Sequence, residues 1–298
     1  MVHLFAILGH APRICNILFP VDLSARSVLA TQHVKSWADR FHATLHTLHV
    51  VAIDALGLAR DPLHQLLYED LLDVVSKRTA DLKYFSDQYF GGTVATHTVL
   101  SGSTADQIVY FAKRESIDLI MLPRNHQNLA SRMLEDSLAA QLLERCTASV
   151  WVTEHLEDVL PSPVQRILCA LHLEQDVTLD AQNHRMLQTV RELTTTFQAT
   201  VVFLHVINRA AEGESVTHLQ AVAGIEPLMA QARALFGSSA KILRKSGDVT
   251  TTISGTAKQL AADLIVVGRS RPGTISPGRQ THVLKIDHAA RRPVLSVW

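Results

Sequence analysis

Short apolar runs closed by polar or turn-forming residues alternate along this chain with longer stretches in which apolar positions recur every three or four residues. Ile14 to Val21 is the first short run and suits a central strand. Asp22 and Ser24 follow it, and Val28, Ala30, Val34, Trp37, Ala38 and Phe41 then recur at helical spacing, with Ser24 placed as the N-cap. A second strand over Thr44 to Val51 precedes a long helical pattern that starts with Pro62 at the first helical position. It carries Leu63, Leu66, Leu67, Leu71, Val74, Val75, Leu82 and Phe85, and ends at Gly91-Gly92. Val94 to Leu100 is the third strand. Ser101-Gly102-Ser103 leads from it into a helix with Ile108, Phe111 and Ala112 on one side, where Thr104 and Gln107 have capping-box spacing. A fourth strand (Leu119 to Leu122), a helix with Met133, Leu134, Leu138, Leu142 and Leu143, and a fifth strand (Val150 to Thr153) complete the set.

The order then repeats. Asp263-Leu264-Ile265-Val266-Val267-Gly268 follows Asp118-Leu119-Ile120-Met121-Leu122-Pro123 by 145 positions, with glycine in place of proline. Ile167 to Leu171 follows Ile17 to Val21 by 150, Leu204-His205-Val206 follows Leu48-His49-Val50 by 156, and Gly247 follows Gly102 by 145. Between these landmarks come a helix with Leu179, Met186, Leu187, Val190, Leu193 and Phe197, a strand over Thr200 to Ile207, a helix near Pro227, a strand over Ala240 to Lys245, a final helix near Thr281 to Ala290 and a last strand ending at Trp298. Strands alternating with helices predict a mostly parallel sheet flanked by helices and joined by right-handed crossovers. The pattern is a tandem duplication: one domain over 1–155 with a short extension 1–12, a linker over 156–163 with Pro161 and Pro163, and a second domain over 164–298.

Charge and chemistry narrow the function. Twenty-eight basic and 28 acidic residues leave no global electrostatic reason to expect nucleic acid or an anionic membrane as partner. No run reaches the roughly 18 apolar residues of a membrane helix, and Val2 to Leu8 lacks the basic start of a signal peptide. Cys15, Cys146 and Cys169 have no paired spacing, which suits buried thiols in a reducing cytoplasm. His42, His46 and His49 do not converge, because His46 and His49 point to opposite faces of a strand. With no HExxH or Cys/His ligand spacing, no metal is expected. His49 and His205 recur in both halves and read as a shared structural position. A nucleophile elbow and a P-loop are both absent, so no catalytic residues are assigned.

The ordered set of Val21-Asp22, Leu48-His49-Val50, Leu204-His205-Val206, Gly102, Gly247 and the endings Ser149-Val150-Trp151-Val152 and Pro293-Val294-Leu295-Ser296-Val297 resembles the universal stress protein family, and two copies resemble its tandem members. The resemblance implies two Rossmann-like α/β domains with five-stranded sheets. It also implies that they pair through their last strands as an intramolecular pseudo-dimer, Val150–Thr153 with Val294–Trp298. In nucleotide-binding members an Asp after the first strand contacts adenine, and a loop after the fourth reads Gly, two residues, Gly, nine residues, Gly, then Ser or Thr. Glycines in such a loop let backbone N–H groups approach phosphate, and the following helix start adds partial positive charge.

Laid on this chain, the loop falls at Pro123, His126 and Asp136 with Ser137 in the first half, which therefore keeps only Asp22 and Ser137 of the site. In the second half His172 replaces the Asp, Gly268 is kept, Arg271 takes the second glycine position, and Gln280-Thr281 ends a loop one residue short. Gly273 and Gly278 offer shifted amides, Arg269, Arg271 and Arg279 attract phosphate, and Val206 marks the neighbouring strand end. The candidate nucleotide-binding residues are thus Asp22, Ser137, Val206, Gly268, Arg271, Gly273, Gly278 and Thr281.

The expectation is a non-enzymatic stress-response regulatory or interaction protein with degenerate nucleotide sites and an unknown protein partner, monomeric or a homodimer. Two alternatives stand beside it. One is an ATP-binding switch or slow ATPase using the second-half loop, with ATP or another adenine nucleotide as cofactor. The other is a small-molecule or lipid carrier using the cleft at the strand ends.

Overall fold

The computed structural model describes residues 13–52, 64–124, 137–156, 164–171, 177–207, 225–237, 240–269 and 279–298. It divides into two compact units, Ile14–Trp151 and one containing Val152–Trp298, so the division falls inside the fifth strand. The linker residues 157–163, the extension 1–12, Pro62, Leu63, Met133 and Leu134 lie outside the described residues.

The first unit runs β1 (Asn16–Pro20), α1 (Ala25–Phe41), β2 (Thr44–Ala52), α2 (His64–Phe90), β3 (Val94–Gly102), α3 (Thr104–Arg114), β4 (Leu119–Pro123), α4 (Leu138–Arg145) and β5 (Ser149–Thr153). Its strands lie in the order β3-β2-β1-β4-β5. β1 pairs in parallel with β2 (Leu18 opposite His46) and with β4 (Leu18 opposite Ile120). A strand with neighbours on both edges and helices on both faces is apolar throughout, and Ile17, Leu18 and Phe19 are fully buried. Phe19 meets the Phe90 ring edge-on at 6.1 Å. Burying such a ring contributes roughly 1.5–3 kcal/mol. α1 buries Ala30, Val34, Trp37, Ala38 and Phe41, the face its periodicity marks, and the Ser24 hydroxyl accepts from the N–H groups of Arg26 and Ser27.

The second unit repeats the plan: β6 (Arg166–Leu171), α5 (Val177–Phe197), β7 (Thr200–Ile207), α6 (Ile225–Phe236), β8 (Lys241–Ser246), α7 (Val249–Gln259), β9 (Leu264–Gly268), α8 (Arg279–Ala290) and β10 (Val294–Val297). Its order is β8-β7-β6-β9-β10, with every pair parallel. Leu168, Cys169, Phe203, Leu204, Ile265 and Val266 are fully buried at its centre.

The duplication extends to the backbone. Left-handed residues recur at His42 (φ 50°) and Gln198 (φ 54°), and at Ser116 (φ 51°) and Ala261 (φ 46°). Gly102 (φ 132°) and Gly247 (φ 146°) share a conformation that side chains rarely adopt. The acid before each fourth strand has a common task. Asp118 Oδ2 accepts from the N–H groups of Cys15 and Asn16, both at 2.8 Å, and Asp263 Oδ2 accepts from Gln165 and Arg166, both at 2.9 Å. Each carboxylate thereby fixes the start of a central strand.

Two expectations change. The cap of α3 is Ser103, whose hydroxyl accepts from Asp106 N–H at 3.5 Å, because Thr104 is already helical. Asp248 does the same for α7 through Thr251 N–H at 2.8 Å. Of the three thiols, Cys146 and Cys169 are buried, but Cys15 stands exposed just ahead of β1. Burial pushes the Cys169 thiol well above its ordinary pKa.

Candidate functional site

In an open parallel sheet the ligand crevice lies beyond the carboxyl ends of the two strands from which the chain departs in opposite directions. Those strands are β1 and β4 in the first unit, and β6 and β9 in the second. The topology therefore carries Asp22 and Pro123 to one crevice, and the strand ends Leu171 and Gly268 to the other.

In the first crevice the Asp22 carboxylate is used by the local fold. Its Oδ1 accepts from Ser24 N–H at 3.0 Å and from the Ser27 hydroxyl at 2.5 Å, while Asp22 N–H donates to Ser27 Oγ at 3.2 Å. Partial burial would raise the pKa of this carboxyl, but the hydrogen bonds from Ser24 and Ser27 outweigh it and hold the group below its usual range. Leu23, between Asp22 and the cap, adopts φ 61°, which turns the chain sharply into α1. His49 Nδ1–H donates to the Val21 carbonyl at 2.7 Å, and His205 donates to Leu171 at 3.4 Å, so the two histidines share the strand-end position their repetition predicts. Ser137 caps α4, its hydroxyl accepting from Ala140 N–H at 3.2 Å. Pro123 ends β4 and offers no N–H to an anion.

In the second crevice Gly268 ends β9 against α5. A Cβ built on it would lie 2.6 Å from both Gln182 Nε2 and Met186 Sδ, so the glycine admits the helix. Gln182 Nε2 donates to the Arg269 carbonyl at 2.6 Å, and Arg269 N–H donates to Val297 O at 2.8 Å. Both backbone polar groups of the residue after Gly268 are therefore engaged within the unit. Val206 lies near the end of β7, opposite Lys245. Thr281 lies in α8, whereas His126, Asp136, His172, Arg271, Gly273 and Gly278 lie outside the described residues.

Sequence reasoning missed two groups. Gln182 carries no signal, being one polar residue on an amphipathic helix. Glu154, His155 and His288 converge although 133 positions separate the last two, and no local spacing reveals them. His42, His46 and His49 stay apart: His42 caps α1, while His46 is buried with its Nδ1 2.9 Å from Thr96 Oγ1. Burial lowers the His46 pKa, partly opposed by Glu115.

Comparison with known proteins agrees with the duplicated plan. A universal stress protein of Methanocaldococcus jannaschii is 26% identical over 141 residues, 47% of this chain and 81% of that protein. A universal stress protein from Archaeoglobus fulgidus superposes with a TM-score of 0.68 at 16% identity, covering 96% of this chain and 97% of the other. The cytoplasmic domain of a prokaryotic cation chloride cotransporter gives 0.53 at 12% identity over 95% and 94%, a likeness of fold alone. The model of the universal stress protein family matches residues 14–154 and again residues 165–280, and the chain therefore belongs to that family as a tandem member.

Proposed function

We propose that this tandem universal stress protein is a non-enzymatic regulatory or interaction protein whose nucleotide sites are degenerate. The observation that carries the reading is the junction after β9, where Gln182 and Met186 fill the space beside Gly268 and the Arg269 amide is spent on Val297. A phosphate-binding loop needs its first amides directed at the ligand. The engagement of Asp22 by Ser24 and Ser27 supports the same reading in the first half. Balanced charge favours a protein over a nucleic acid as partner. A cytoplasmic setting fits the free thiols at Cys15, Cys146 and Cys169, and among the described residues no helix is long and apolar enough to cross a membrane.

The test is thermal unfolding of the purified chain with and without millimolar Mg-ATP. A ligand at 100 times its dissociation constant adds about 2.7 kcal/mol, which moves Tm by several degrees. No shift is expected. A shift abolished by Gly268→Asp would replace this reading with that of an ATP-binding switch.

A further inference from the structure

Just beyond β5, at Glu154, the chain bends. Neighbouring residues on an extended strand face opposite ways, but this bend lets Glu154 and His155 approach one point. His288, on the last turns of α8, reaches the same point, and all three belong to the unit Val152–Trp298.

We propose that Glu154, His155 and His288 form a zinc site. Glu154 Oε1 lies 3.2 Å from His155 Nε2 and in closer contact with His288 Nδ1, and the three donor atoms all lie within 4.8 Å of one another. Ligands about 2.0–2.1 Å from a tetrahedral zinc stand roughly 3.3 Å apart, so the Glu154–His155 pair already has the required separation. His288 needs only a side-chain adjustment. Two imidazole nitrogens and one carboxylate oxygen are a donor set that zinc takes with one position left open.

Burial gives the grouping a reason to hold a cation. The side chains of Glu154 and His155 are 7% and 5% exposed, whereas that of His288 is 72% exposed. A carboxylate withdrawn from water needs positive charge beside it. The exposed His288 side leaves an entry path and a place for water as fourth ligand. The His155 backbone is held by its N–H donating to the buried Thr153 hydroxyl at 3.3 Å, which orients the ligand pair before metal arrives. Bound zinc would tie the chain after β5 to α8.

The experiment is calorimetric titration of the chelator-treated full chain with Zn²⁺, paired with the visible spectrum of the Co²⁺ form. One Zn²⁺ per chain is expected, with the intense bands of a tetrahedral Co²⁺ site. Removing a ligand should cost at least the roughly tenfold that loss of an outer-shell partner costs. H288A and E154Q should each weaken binding by that much or more and erase the bands, while H184A on α5 leaves both unchanged. His288 is exposed, so H288A keeps the fold, checked by circular dichroism, and decides the matter even where E154Q does not fold. Wild-type affinity in H288A, or only several weak equivalent sites in the parent chain, would overturn the proposal.

Discussion

β4 ends in Pro123 and β9 in Gly268, although each lies beside the first strand of its own unit. The same contrast runs through both crevices. After β1 stands an acid tied into the turn by Ser24 and Ser27, whereas the corresponding position in the second half is His172. Elsewhere the halves agree in detail. Asp118 and Asp263 pin their central strands, His49 and His205 donate to a strand-end carbonyl, and Gly102 and Gly247 turn with the same φ sign. Positions that hold strands together have stayed matched, whereas the residues that end the fourth strands have diverged.

The largest expected effect tests the matched part. D118A and D263A each remove a carboxylate that accepts two backbone N–H groups. Charge-assisted bonds of this kind contribute about 1.5–3 kcal/mol each; partial exposure reduces the pair to about 3 kcal/mol in either half. Urea unfolding should give similar losses for both, and a loss in one half alone would break the equivalence. The next effect separates the halves. G268A forces its methyl against Gln182 and Met186, and overpacking of this sort costs about 2 kcal/mol. P123A adds no atoms and should cost under about 1 kcal/mol, mainly through a looser unfolded chain.

Capping is smaller still. S24A removes the acceptor for Arg26 and Ser27 N–H and should cost about 1 kcal/mol, read as a lower urea midpoint. The smallest effect concerns pH. Because the Asp22 carboxyl titrates below its usual range when folded, its stabilisation is complete above the ordinary pKa of about 3.9. It is lost as pH falls through the lowered value. Between pH 5 and pH 3 the parent chain should therefore lose more stability than D22N, with no matching acid at position 172.

The elements were legible because burial on both faces writes itself as an unbroken apolar run and an amphipathic helix as a three-to-four-residue rhythm. Thr200–Ile207 was readable residue by residue for that reason. α7 was not: the face that packs is Ile253, Ser254, Thr256 and Ala257, two of them polar, and Thr250, Thr251, Thr252 and Gly255 around them leave no apolar rhythm to read. The strand-anchoring role of Asp118 and Asp263 was hidden although both acids stand out, because their partners lie about a hundred positions away. The candidate sites were least readable. Gly268 looks alike whether it admits a phosphate or a helix, and only the position of Gln182 and Met186 distinguishes the two. Convergence of Glu154, His155 and His288 depends on a bend and on a distant helix, neither of which is a matter of spacing.

The aspartate clasps also set the order of events as the chain is made. Cys15 and Asp118 are 103 positions apart, and Gln165 and Asp263 are 98 apart. At a synthesis rate of about 5–20 residues per second, β1 waits roughly 5–20 seconds for the strand and the carboxylate that close its second edge. An unpaired apolar edge is a template for foreign strands, so each half passes through its own interval of exposure before it is sealed. A nascent chain of this design depends on β2 and the helices that follow to shelter its centre until the fourth strand emerges.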